Sequence, residues 1–216
     1  MDIQSIIEKT EQFVKKRFST EGSGHDWFHV DRVRKMALRI GKQEGCDLFL
    51  TEMAALLHDL DDWKLNDTDD QLLSGTTQWL QKMGVAGPVS LQIIRIIEEV
   101  SFKGAGIETP VGSMESAVVQ DADRLDAIGA IGIARTFAYG GHKSRLIYDP
   151  EITPVLHQNF QDYKNNQAPT INHFYEKLLL LKDRMNTETA RQIAQERHQF
   201  MEEYLNRFYD ECDAKS

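Results

Sequence analysis

Five consecutive residues, Met53-Ala54-Ala55-Leu56-Leu57, run directly into His58-Asp59-Leu60. Read as a helix, this stretch is apolar on every side, and such a helix is a buried one. A fold that buries it must also accommodate the His-Asp pair at its end. Burial of a carboxylate costs on the order of several kcal/mol unless it is paired or bound to a metal. Asp59 therefore needs a partner, and a divalent cation would satisfy it. The alternative is an exposed helix C-terminus with Asp59 in water.

The rest of the chain repeats the helical period. Residues 2–18 place Ile3, Ile6, Ile7, Phe13 and Val14 at helical spacing. Asp26 is a good N-cap for the next helix, in which Val30, Val33, Ala37 and Ile40 follow at steps of three and four. Gly41 and Gly45 are expected to end it. The His-Asp helix spans about 49–60, and 61–69 reads as a loop. Two amphipathic helices, 70–83 and 88–100, precede a glycine-rich loop over 101–112. One long helix is expected over 113–138, capped by Ser113 and ended by Tyr139-Gly140-Gly141, with 142–154 irregular. Further helices are expected near 152–165, 170–182 and 187–210. Few stretches alternate with period two, so the fold class is all-α.

The 216 residues suit one domain, and 41% apolar content is enough for a core. A net charge of -9 argues against affinity for nucleic acid or anionic lipid, whereas a metal and a few basic residues can still bind a small anion. Cys46 and Cys212 are far apart and lack metal-type spacing, as expected of reduced cysteines in a cytoplasm. Met1-Asp2-Ile3-Gln4 does not read as a signal peptide, and no apolar run approaches the roughly 20 residues of a membrane span.

Two other helices offer inward polar groups. His29 lies in line with Val33, Met36 and Ile40, so it points inward. Val119, Asp123, Asp126 and Ala130 share a face, and two carboxylates bordered by Val and Ala are hard to explain as surface charge. An ion pair with Arg124 or Arg135 is the structural alternative. Two His and two Asp make a mixed nitrogen and oxygen site that suits manganese, iron, cobalt, nickel or zinc better than calcium. A water on such an ion loses its proton near neutral pH.

The order His29, then His58-Asp59, then the Asp in Ala122-Asp123-Arg124-Leu125 resembles the HD-domain superfamily of metal-dependent phosphohydrolases. The stretch Gly24-His25-Asp26-Trp27-Phe28-His29 is similar to that family's first motif. The resemblance covers about residues 20–140 and leaves a C-terminal helical extension over about 150–210. It implies an HD helical bundle and a divalent metal held by His29, His58, Asp59 and Asp123. Asp121 and Asp126 are rivals for the last ligand. Manganese is the first expectation, with iron, cobalt, nickel, zinc or magnesium as alternatives. Small bacterial relatives split deoxynucleoside triphosphates to monophosphate and pyrophosphate, and others dephosphorylate nucleoside monophosphates. The first of these is the expected reaction.

The same resemblance points to Asp62, four residues after His58, as a second acid or base. Phosphate must be held by cations. The candidates are Lys103 in the glycine-rich loop, Arg124, Arg135, His142, Lys143 and His25. Trp27, Phe28, Phe102 and Tyr139 are candidates for stacking on a base. His157, His173 and His198 read as structural or exposed. The last helix is expected to pack on the core or on a second subunit of a homodimer. A two-iron oxygenase would need more His ligands, and a non-catalytic nucleotide sensor is the other competing reading.

Overall fold

The computed structural model describes residues 2–19, 26–61, 74–100, 110–156 and 168–215. The described residues are helical, with no strands among them. They fall into two compact units, one within residues 2–100 and 110–123 and the other within residues 124–215.

The first unit contains α1 (Ile3–Arg17), α2 (Trp27–Glu44), α3 (Leu48–Leu57), α4 (Ser74–Lys82), α5 (Gly87–Val100) and α6 (Met114–Asp126) as far as Asp123. Its centre is α3, which packs on α1, α2 and α5. Met53 through Leu57 are completely buried, as the all-round apolar pattern requires. Asp47 starts α3 by accepting hydrogen bonds from the backbone N–H groups of Phe49 and Leu50, at 2.9 and 3.1 Å. Such a cap contributes about 1 kcal/mol. Asp26 starts α2 in the same way, accepting from the His29 N–H at 2.8 Å. The helix ends at Gly45, which adopts a left-handed φ of +76°, whereas Gly41 lies inside it.

Side chains then lock these helices together. Arg34 on α2 reaches Glu52 on α3 at 2.7 Å and Glu11 on α1 at 2.8 Å. The Trp79 ring of α4 stacks on Phe13 of α1, with centroids 3.9 Å apart, and its indole N–H donates to Thr10.

The second unit contains α7 (Gly129–His142), α8 (Asn172–Glu176), a 3-10 helix (Leu178–Arg184) and α9 (Glu188–Cys212). α9 packs on α7 and on the 3-10 helix. Phe137, Phe174, Tyr204 and Phe208 form its aromatic core.

Four expectations are corrected here. The single helix expected over 113–138 is two helices, broken at Ala127-Ile128. Gly129 takes a φ of +74°, and the Leu125 carbonyl at the end of α6 accepts from both the Ile128 N–H and the Arg197 guanidinium. Arg135 completes the junction by donating to the Asp126 carboxylate at 2.6 Å. The second helix also runs through the glycine pair to His142, and the Gly140 backbone lies so close to Thr170 that a Cβ would not fit. Finally, residues 152–156 are not helical, because their backbone is held by side chains. Asn172 donates to the Ile152 carbonyl, and Glu176 accepts from the Val155 N–H. The helix expected over 170–182 is a short α-helix followed by the 3-10 helix.

Candidate metal centre

The buried end of α3 delivers His58 and Asp59 together. The chain leaves helical geometry after Leu57 and turns through 58–61, yet Asp59 is only 7% exposed. An exposed helix terminus is therefore not its setting. The His58 ring presents Nδ1 to the Ala55 carbonyl at 2.8 Å. That bond puts the proton on Nδ1 and leaves the Nε2 lone pair for a metal. His58 Nε2 is buried without a hydrogen-bond partner among the described residues.

α2 delivers His29 from its first turn, with the backbone held by Asp26 and the ring 1% exposed. His29 Nε2 lies 3.3 Å from Asp59 Oδ2 and 3.5 Å from Asp123 Oδ1. His58 Nε2 lies 3.4 Å from Asp59 Oδ1. Ligand atoms of His29, His58 and Asp59 all fall within 4.8 Å of one another. Ligands about 2.1 Å from one ion are separated by about 3.0 Å when adjacent and about 4.2 Å when opposite. The donors therefore fit one divalent ion. The Asp59 carboxylate carries charge that such an ion would neutralise, and the Asp123 carboxylate lies beside the group, 3.5 Å from His29. The Asp123 side chain is 33% exposed, so the group is reached from its side.

The three acids of the 121–126 run have different surroundings. Asp123 faces His29, Asp126 is paired with Arg135, and Asp121 is fully buried. Asp61, the first residue of the expected loop, caps α4 by accepting from the N–H groups of Gly75 and Thr76 at 2.9 and 2.8 Å.

The remaining candidates separate clearly. Asp62, Lys103, His25, Phe102 and His157 lie outside the described residues. Arg124, Arg135, His142 and Lys143 belong to the second unit. Arg124 there donates to the Arg184 carbonyl at 2.5 Å, and Arg135 holds Asp126. His142 and Lys143 are exposed. Trp27 is core, whereas Phe28 and Tyr139 are exposed. His198 is buried beside Glu202, and burial drives the His173 pKa down to about 3.

Sequence reasoning missed Gln120. Its side-chain amide donates to the carbonyls of Glu99 and Pro110, at 2.7 and 2.8 Å, while it is itself 1% exposed. The signal was available, because Ser113, Ser116, Gln120 and Asp123 follow at helical steps along one stripe of α6.

The HD domain family matches residues 27–128, a span that includes His29, His58, Asp59 and Asp123. An HD-superfamily hydrolase from Bacillus thuringiensis, solved by crystallography, is 46% identical, covers 99% of this chain and 100% of its own, and superposes with a TM-score of 0.80. The chain belongs to the HD-domain family. It is a metal-dependent hydrolase of that superfamily. The HD protein described here is also 42% identical over 200 residues to YpgQ of Bacillus subtilis, covering 92% of this chain and 89% of the relative. A crystal structure of YpgQ in complex with ADP superposes with a TM-score of 0.75, at 38% identity, covering 95% of this chain and 97% of that one. No helix among the described residues of this HD protein is long and apolar enough to cross a membrane.

Proposed function

We propose that this HD protein is a nucleotide phosphohydrolase that uses water to cleave the α–β phosphoanhydride of a nucleoside or deoxynucleoside triphosphate, releasing monophosphate and pyrophosphate. The convergence of His29, His58 and Asp59, with Asp123 at their exposed side, carries this reading. The ADP bound by YpgQ supports a nucleotide as ligand. We assign the four residues as ligands of a divalent ion, manganese first. That ion, when bound, acidifies water and neutralises phosphate oxygens.

The chain's own residues do the positioning. Ala55 fixes the His58 tautomer through Nδ1, and Asp59 presents one oxygen to each imidazole. The buried sides of the group exclude bulk water, which strengthens each electrostatic contact. Asp123, the more exposed acid, borders the side from which an anionic substrate arrives. Asp62 is assigned to proton transfer on the sequence argument. Lys103, His25, His142 and Lys143 are assigned to phosphate oxygens on the same ground. Arg124 and Arg135 already hold backbone and carboxylate partners, which weighs against a phosphate role for them.

The test is turnover of the purified protein with nucleoside tri- and monophosphates, with each divalent metal supplied in turn. Pyrophosphate and phosphate are quantified separately. Pyrophosphate release that disappears in His58→Ala is the expected result. Phosphate release from monophosphates would make the protein a nucleotidase. Tight metal binding without release would make it a sensor.

A further inference from the structure

The buried amide of Gln120 makes two hydrogen bonds to backbone carbonyls outside the metal group. Its Nε2 donates one hydrogen to the Glu99 carbonyl in the last turn of α5 and one to the Pro110 carbonyl. The Glu99 carboxylate in turn accepts from the Gly112 N–H at 2.9 Å. The Glu99 carboxylate lies directly over the Gly112 backbone. Ser113 caps the start of α6 by accepting from the Ser116 N–H at 3.1 Å. The first turns of α6 are therefore pinned to the end of α5. Asp123 follows Gln120 by three residues, on the same stripe of the helix.

We infer that Gln120 is a positioning residue for Asp123 and sets the metal affinity of the site through it. This rests on reading Asp123 as a ligand. A helix with side chains has a radius of about 5–6 Å, so a rotation of about 10° carries a carboxylate by about 1 Å. Metal–ligand distances tolerate only about 0.2 Å. Without the amide, the carbonyls of Glu99 and Pro110 lose this donor, and α6 loses its side-chain tie to the end of α5. Gln120 thus acts at the azimuth of α6, and the rotational tolerance of Asp123 is too small to absorb its loss.

The experiment is a double-mutant cycle read as Mn(II) affinity by isothermal titration, with no substrate present. Gln120→Met keeps the length of the side chain and removes both donors. It is expected to weaken Mn(II) binding about tenfold, in the range of partners that orient metal ligands. In an Asp123→Asn background the same substitution is expected to change affinity less than twofold, because its route is already cut. Where Gln120→Met does not fold, Gln120→Asn, which shortens the amide by one methylene, enters the same cycle. An equal loss in both backgrounds overturns the inference. So does an unchanged affinity alongside a lowered melting temperature, which would make Gln120 merely structural. If wild type binds no Mn(II), the metal reading itself fails. If His58→Ala abolishes binding while Asp123→Asn does not weaken it, the metal reading stands and the role of Gln120 falls.

Discussion

Asp123 and Asp126 stand three residues apart on one helix, and the protein uses them in different ways. Asp126 is nearly buried and meets the Arg135 guanidinium at 2.6 Å. Asp123 is a third exposed and faces the His29 imidazole at 3.5 Å. Asp59, almost as buried as Asp126, likewise faces imidazoles, those of His29 and His58. An arginine is permanently charged and forked, so a carboxylate beside it is already neutralised. A neutral imidazole offers a lone pair and no charge, so carboxylates grouped around two of them suit a cation brought from outside. If Asp59 and Asp123 are the ligands we propose, the acid's neighbour, more than its burial, separates a structural carboxylate from a ligating one.

The strongest way to break this contrast is to remove the imidazole side. His58→Ala and Asp59→Ala are each expected to lower turnover by about a thousandfold or more while circular dichroism shows the helices intact. Full activity of either variant after metal removal would overturn the mechanism. Metal itself comes next in size. At a hundredfold excess over its dissociation constant, a bound ion stabilises the fold by about 3 kcal/mol. Adding EDTA to the Mn(II)-loaded protein should therefore lower its melting temperature, and His58→Ala should show no such change.

The arginine side should behave in the opposite sense. Arg135→Ala leaves the Asp126 carboxylate without its cation and is expected to cost about 2 kcal/mol in a urea titration, below the fully buried case because Arg135 is partly exposed. Mn(II) affinity should stay within twofold. A large loss of affinity would mean that the two acids belong to one system.

The smallest effect concerns a histidine with no ligating role. Burial, followed by Lys177 and Arg145, lowers the His173 pKa from 6.5 to about 3, which favours its neutral form in the fold. The unfolded chain binds the proton first as pH falls below 6.5, so stability is complete above that value and declines toward pH 3. Between pH 7 and 5.5 the loss should be on the order of 1 kcal/mol. His173→Phe should flatten that part of the stability profile, and an unchanged slope would remove His173 as its cause.

Much of the first unit was legible because its signals are local. Asp26 reads as a cap from its position, and it caps. His29 reads as inward from the stripe it shares with Val33 and Ile40, and it is buried. The second unit was less legible, because distant side chains decide its local structure. A glycine at 129 is compatible with a continuous helical pattern, and nothing nearby announces that Arg197 will take the Leu125 carbonyl. Similarly, residues 152–156 stay outside any helix, with Asn172 and Glu176 bonding their backbone from about twenty positions away.

The sequence by itself determined the helical class, the buried centre of α3 and the set of residue types able to hold a divalent ion. Periodicity and capping act over one or two turns, so they can be read in order along the chain. Only the tertiary structure decided which acid faces His29, which faces an arginine, and that Gln120 pins α6 to α5. Those outcomes depend on helix azimuth, and azimuth follows from packing and hydrogen bonds between residues far apart in the chain.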